Sequence, residues 1–474
     1  MPEARGPVFR RPARIVVVSM LVYVAIFSVL CVLRLITAKH GDPDFGIFEQ
    51  AFWTTTHQGM LLSNTYEGGS HFRIHNSPVF LLLVPAYWAV PTLASLLVAQ
   101  TIAMAAGAWA VFLLARQAFS REAEPAAAML AVAYLLYHPM HGVNYDQFNE
   151  LAFATAPIIF AFYHLYGRRY GWFWVFSLLA LATKEDMSFL VGMLGLYAAA
   201  VSYPDRRGML SGLGLACFAG VWLWFSMQVV FPYFRGPQPW PYFTLYYGHL
   251  GNSMGEAVRT ILTRPDIVLP LLIRKKTVLL FLELVAPLAF FPLRAPGVLL
   301  VGGPTWLVFT LSSFQGTTNT GSRYMAPLVA VLFVALVLGM RGMTGNLNRI
   351  ARWPLILSLL FMLAIDNTPV RLPFKNIPVV TDHVRERWRL AAMVPEDASV
   401  STQGDFYALL ARRLDVSPEY LPDKDYILVD DSAQFKLWYD HAHFPEHLPR
   451  LLNEGRYTLV ASSGGARLYK KTSQ

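Results

Sequence analysis

Residues 37–78 gather Asp42, Asp44, Glu49, His57, Glu67, His71, Arg73 and His75 between two apolar stretches. Ionisable side chains beside a lipid boundary are costly unless they pair, meet water or do chemistry, so this polar island is the first candidate site. Asp42 precedes Pro43 and reads as a helix N-cap. That leaves Asp44, in the first turn, with no structural task beyond a favourable charge against the helix dipole. His71 and His75 are four residues apart. On a helix the two imidazoles would share a face, which is the spacing of divalent-metal ligands. Gly68-Gly69 and Asn76-Ser77-Pro78 argue instead for a loop, in which the histidines and Arg73 bind a phosphate or only hydrogen-bond the island together.

Further along, Asp146 and Glu150 stand four apart in DQFNE. They read either as acids at a helix N-terminus or as contacts for an acceptor or a metal, which makes His71, His75 and Asp146 the metal candidates. Lys184, Glu185 and Asp186 interrupt what are otherwise two apolar segments joined by almost nothing. Three charges there must pair or meet water, and a Lys–Glu pair closing the corner is the simplest structural reading. Arg323 can grip a phosphate with two hydrogen bonds; equally, Arg323 and Tyr324 can be interfacial anchors. The segment 232–251, with Trp240, Tyr242, Phe243, Tyr246 and Tyr247, offers aromatic faces for stacking on sugar rings or a lid lying in the interface. No Walker loop, dinucleotide fingerprint or Ser/His/Asp order is present in the sequence.

The elements that must hold these groups are those of a membrane protein. Of the 474 residues 55% are hydrophobic and only 15% charged, and the mean hydropathy is +0.40, whereas soluble domains carry roughly 25% charged residues. The net charge of +9 does not point to nucleic acid, because the arginines fall in short clusters between apolar segments, where the positive-inside rule expects them. Cys31 and Cys217 both lie in apolar segments, so no disulfide framework is implied. The run 14–36 follows MPEARGPVFRRPAR and has the ~20 residues a spanning helix needs without a cleavage site, so it reads as a retained first helix leaving the cytoplasm.

Threading the remaining basic clusters to the cytoplasm gives an α-helical polytopic domain over residues 1–366 with about eleven spans. Its first exocytoplasmic loop, 37–91, holds an amphipathic helix at 44–57 suited to the membrane surface and a second juxtamembrane helix at 78–90. On this threading the island, the DQFNE loop, the KED corner, the aromatic segment and GSRY all face outward. Arg274-Lys275-Lys276 falls on the same side, an exception to the charge rule. Residues 367–474 change to the composition of a small soluble, exocytoplasmic α/β domain. There ASVST, YILVDD and YTLVASSGGARLYKK read as strands, and DFYALLARR and HFPEHLPRLLNEG as helices.

The series GDPDFGIFEQAFW, EGGSHFRIHNSPVFLLLVPAY, LLARQAFSREAE, ATKEDMSFLVGMLGLY and SRYMAPLV resembles a bacterial family of polytopic membrane proteins of unknown function. That family is similar in turn to the GT-C superfamily of membrane glycosyltransferases, which includes aminoarabinose transferases and protein O-mannosyltransferases. The resemblance implies transfer of a sugar from a polyprenyl-phosphate donor to a lipid, glycan or protein acceptor at the outer face of the bacterial cytoplasmic membrane. It makes Asp44 the candidate base, and it sets the KED corner against the superfamily's Thr-Lys-Gly corner, whose lysine faces the donor phosphate. Lys184, Glu185, Arg323, Tyr324, His71, His75, Arg73, Asp146 and Glu150 then become substrate contacts, and the partners are the bilayer and a lipid-linked sugar. Where the family pattern often reads Asp-Phe-His-x-Glu, this chain reads Asp-Gln-Phe-Asn-Glu, and the missing histidine weakens a metal site. A lipid or lipid-linked-sugar transporter and a non-catalytic envelope assembly protein remain open as other classes.

Overall fold

The computed structural model describes residues 11–37, 43–238, 240, 242–343, 345–365, 370, 377–418, 423–430 and 444–472, with backbone only for 444–447. These form two compact units. The first draws on Met1–Phe27, Asn76–Phe80 and Ala99–Asn376, and the second on Ser28–His75, Leu81–Val98 and Ile377–Gln474.

Helices α1 (Arg11–Thr37), α2 (Asp44–Gln58), α3 (Val84–Ala89) and α4 (Leu93–Ala118) open the chain, with a small ladder of β1 (Ser63–Asn64) and β2 (Gly69–Ser70) between α2 and α3. They are followed by α5 (Glu124–Leu136), α6 (His138–Asp146), α7 (Thr155–Tyr166), α8 (Tyr170–Leu181), α9 (Met187–Ser202) and α10 (Arg206–Phe225). A π-turn, Ser226–Val230, joins α10 to α11 (Phe231–Arg235). Then come α12 (Phe243–Tyr247), α13 (Met254–Thr263), α14 (Pro265–Ile273), α15 (Lys275–Val285), α16 (Pro296–Leu311), α17 (Ala326–Met340), α18 (Leu347–Ile350) and α19 (Arg352–Ala364).

Every apolar segment expected to cross the membrane contains a helix. Among the described residues, five helices are long and apolar enough to cross: α1, α4, Arg206–Arg235, Arg323–Met340 and Leu347–Ala364. A sixth arises if α5 and α6, bent by 43° at their junction, are one span. The helical stretches Leu151–Tyr166, Tyr170–Leu181, Met187–Ser202 and Pro296–Leu311 are apolar but shorter than the ~20 residues of a full crossing.

Two local expectations are corrected. Residues 138–146, read as part of a loop, form the buried helix α6, because Pro139 near its start fits a new first turn while Tyr137 at φ −70°, ψ 117° breaks the ladder from α5. Within α6, Gly142 is what allows contact with the segment before Arg323, since a Cβ there would stand 2.4 Å from the Cα of Gly321. Helix α2 has no wet face along its first two turns. Phe45 to Phe52 are all buried, and a Cβ on Gly46 would sit 2.2 Å from the Tyr407 ring of the C-terminal domain. The helix ends at Gly59, whose φ of 67° lets its N–H cap Thr54 O. The expected cap Asp42 lies outside the described residues.

The basic cluster that broke the charge rule has a local explanation. Arg274 Nη2 donates to Thr310 O at 2.8 Å and Lys276 Nζ to Gln315 O at 3.0 Å. Arg274 thus neutralises the exposed carbonyls at the C-terminal end of α16.

In the second unit the C-terminal segments supply α20 (Asp382–Ala392), β3 (Val400–Thr402), α21 (Gly404–Leu410), β4 (Val416–Ser417), β5 (Tyr426–Asp430), α22 (Phe444–Asn453), β6 (Tyr457–Ser463) and β7 (Ala466–Lys471). The sheet order is β4-β3-β5-β7-β6. Its first three strands run parallel, and β5-β7-β6 are antiparallel with Ile427 opposite Tyr469. Ile427, Val429, Leu448, Leu451, Tyr457 and Tyr469 form a core on this sheet. Every strand and helix expected here from the sequence contains a matching element, while α20 was not anticipated.

Candidate functional site

The first unit brings three of the expected segments to one place. Lys184 sits in the turn between α8 and α9 and is 7% exposed; Glu150, at the start of the 3-10 turn before α7, is 5% exposed. Lys184 Nζ lies 3.5 Å from Glu150 Oε1. Burial opposes charge on Lys184, but Asp186, Glu150, Tyr324 and Glu185 together hold its pKa above the ordinary lysine value. The lysine therefore stays cationic while buried, and its surroundings reach across the fold to Glu150 as well as to its chain neighbours Glu185 and Asp186.

Arg323 completes the cluster. Its backbone N–H donates to Asp146 Oδ2 at 3.1 Å and its Nη1 to Gln147 Oε1 at 2.7 Å. The Tyr324 ring is shared by both cations, with Lys184 Nζ 5.6 Å and Arg323 Cζ 5.6 Å from its centroid. One aromatic face therefore organises two positive groups. Asp146 closes the C-terminal end of α6, so it is not the helix N-terminal acid that was one of its readings. Gln147 was not singled out in the sequence; a neutral amide between two carboxylates carries no signal there.

The aromatic segment borders this cluster. Tyr246 stacks on Phe314 at 4.9 Å, and Phe314 meets Tyr324 edge-on at 6.2 Å. Tyr247 donates to Val308 O at 3.1 Å. Its phenol is pushed up by burial and then by the Asp186 carboxylate and Tyr324 nearby. A small cleft lined by Leu151, Asp186, Met187, Thr305, Phe309 and Pro327 opens beside Asp186. Glu185 turns to the other side, where Glu185 Oε2 accepts the Asn76 N–H at 2.9 Å.

The second unit holds the remaining candidates. Asp44 is half-buried in the first turn of α2, whose N-cap position is Pro43 with no side-chain cap bond. Five residues on, Glu49 is 4% exposed. It accepts from Tyr87 Oη at 2.7 Å, from the Leu93 N–H at 2.6 Å and from Arg412 Nε at 2.7 Å. The carboxylate thus caps the start of α4 while tying α2 to α3 and to the C-terminal domain. Burial and then Glu49 push the Tyr87 phenol up. Gln50 adds a second tie, donating to Arg413 O at 2.9 Å and accepting from Tyr407 Oη at 2.7 Å and Thr65 N at 2.9 Å.

The histidine segment is a loop with one 3-10 turn, His71–Arg73, so the helical reading of the pair is set aside. His71 is 2% exposed. Its Nδ1 contacts Glu67 Oε1 at 2.9 Å, and its ring centroid is 5.7 Å from that of His75. Arg73 folds back to hydrogen-bond Gly68 O. Among the described residues no three His, Cys, Asp or Glu side chains come together as metal ligands.

The chain is similar in fold to ArnT from Cupriavidus metallidurans. Against the structure bound to undecaprenyl phosphate the TM-score is 0.54 at 11% identity, covering 95% of this chain and 98% of that one. Against the apo structure it is 0.55 at 13% identity, covering 96% and 99%. The Archaeoglobus fulgidus oligosaccharyltransferase in complex with Zn and sulfate aligns at a TM-score of 0.45 and 12% identity, covering 88% of this chain and 68% of that one. No curated protein sequence matches significantly. The chain shares the fold of ArnT, and a family model described as "Predicted membrane protein (DUF2079)" matches residues 34–468. The chain belongs to the DUF2079 family of membrane proteins.

Proposed function

We propose that this protein is an integral membrane glycosyltransferase that takes a sugar from a polyprenyl-phosphate donor and passes it to a lipid, glycan or protein acceptor at the outer face of the bacterial cytoplasmic membrane. The observation that carries this reading is the buried, charged Lys184 sharing the Tyr324 ring with Arg323. A phosphodiester donor carries one negative charge and its leaving phosphate two, so fixed cations in a dry site stabilise departure more than binding. The ArnT fold, seen in that protein with undecaprenyl phosphate bound, supports a lipid-phosphate ligand.

In this scheme Asp44 takes the proton of the acceptor hydroxyl as its oxygen bonds to the anomeric carbon, and the anomeric carbon–phosphate oxygen bond breaks to release polyprenyl phosphate. Lys184 and Arg323 hold the departing phosphate, with Tyr324, Glu150 and Asp146 orienting them. Glu185 sets the corner, and His71, His75 and Arg73 contribute to acceptor or phosphate binding. The DQFNE, KED and GSRY segments and the C-terminal domain face outward, and the N-terminus faces the cytoplasm.

The test is transfer from a panel of radiolabelled polyprenyl-phosphate sugars by purified protein in lipid, with Asp44→Asn and a chelator lane. Product from one donor that is lost in Asp44→Asn is the expected outcome, and the chelator lane decides whether a divalent ion takes part. Donor binding without transfer, with Asp44→Asn behaving as wild type, sinks the enzyme and favours a lipid-linked-sugar transporter.

A further inference from the structure

Asn76 lies at a junction that the roles above leave unused. It is 2% exposed and makes two bonds in different directions. Its N–H donates to Glu185 Oε2 at 2.9 Å, and its Nδ2 donates to Ser226 Oγ at 2.8 Å. Ser226, which is fully buried, passes the chain on by donating to Trp222 O at 2.8 Å. Ser226 also opens the π-turn Ser226–Val230 that interrupts the long apolar helix. Single π-turns distort the regular backbone ladder and recur at functional sites, and a serine bonding back to the carbonyl four residues earlier bends a helix further. Around it Phe225, Gln228 and Val229 are exposed, so Ser226 is where the bulge meets its neighbours.

The short segment carrying Asn76 is stitched to the lysine corner by two more contacts. The Val79 N–H donates to Ala182 O at 2.9 Å, two residues before Lys184. Phe80 stacks on Phe148 of the DQFNE segment at 5.4 Å and 24°. Glu185 is adjacent in the chain to the lysine that the proposed reaction needs, and its carboxylate is held by a charge-assisted bond from the Asn76 backbone. The amide side chain, anchored on Ser226, adds a further hold on the direction of that bond.

We infer that Asn76 is a positioning residue: through Glu185 it sets the corner that aims Lys184, and through Ser226 it locks that corner to the π-turn. The inference deepens, and rests on, the glycosyl-transfer reading. Misaiming Lys184 costs most where phosphate charge is greatest, in the transition state and not in the bound donor.

The experiment uses the full chain in lipid, with Asn76→Ala, Ser226→Ala, the double variant and Ser226→Thr. Each alanine variant lowers kcat about tenfold while KM for the polyprenyl-phosphate sugar stays within about twofold. The double variant is no worse than either single, because both remove one interaction, and Ser226→Thr, which keeps the hydroxyl, retains activity. Hydrogen–deuterium exchange at residues 184–187 and 226–235 rises in both alanine variants. Additive losses, a wild-type kcat per folded molecule, or unchanged exchange overturns the inference. If the wild-type chain transfers from no donor, the functional reading fails, and the exchange data alone decide whether Asn76 pins the bulge.

Discussion

At the scale of single residues, Lys184 is the side chain whose chemistry is most determined by its surroundings. Its raised pKa means that its charge supports the fold fully below the unfolded lysine value and is lost only as pH rises through the higher folded value. Stability and donor binding of the wild type are therefore expected to show no lysine titration between pH 7 and about 10, as followed by thermal melting and binding across that range. Lys184→Ala removes the cation facing Glu150, and losing one partner of a buried ion pair costs about 3–5 kcal/mol in comparable cases. Lys184→Met with Glu150→Gln removes both charges and should recover much of the melting temperature without recovering transfer, separating the structural pair from the phosphate contact. Residue type and position marked Lys184, Arg323 and Tyr324 as candidates, and the family resemblance gave Asp44 its role. Neither marked Glu49 as the cap of α4 or Gln147 as the partner of Arg323, because those roles depend on groups 44 and 176 residues away.

At the scale of elements, α6 decides where Asp146 and Gln147 sit, and Gly142 decides how closely α6 approaches the segment leading to Arg323. Gly142→Ala places a methyl group against the Gly321 backbone, which has no flexible side chain to give way. It should lower the melting temperature by several degrees, as overpacking of about 1–3 kcal/mol does. It should also weaken donor binding, measured by titration with polyprenyl phosphate. A drop in stability with unchanged donor affinity would show that Arg323 is held independently of α6. Helix existence was legible here wherever apolar length sufficed. The helix 138–146 was not, since its polar His138, His141 and Asn144 look like a loop in sequence and are buried only by their neighbours.

At the scale of the whole molecule, the threading places the N-terminus in the cytoplasm and the C-terminal domain outside. Single cysteines at exposed positions of the C-terminal domain, such as Asp415→Cys, should react with a membrane-impermeant maleimide in intact spheroplasts, and Arg207→Cys only after lysis, in a background where Cys31 and Cys217 are replaced. The opposite labelling pattern would invert the topology and remove the outer-face assignment. The second unit adds a property that composition did not announce: segments of the first loop and the C-terminal sheet domain, more than three hundred residues apart, share a buried polar network through Glu49–Arg412 and Gln50–Tyr407.

The sequence by itself determined the class of molecule, the apolar segments, the C-terminal α/β region and the residue types able to handle a lipid phosphate. These are local properties, set by bilayer thickness, hydropathy and side-chain chemistry. Only the tertiary structure decided that Lys184 faces Glu150, that Tyr324 lies beside both cations, that His71 is engaged by Glu67 in a loop, and that Asn76 joins Glu185 to the bulge at Ser226. Each of these joins groups whose meeting depends on how helices and loops pack, and a buried charge takes whichever partner that packing brings within reach.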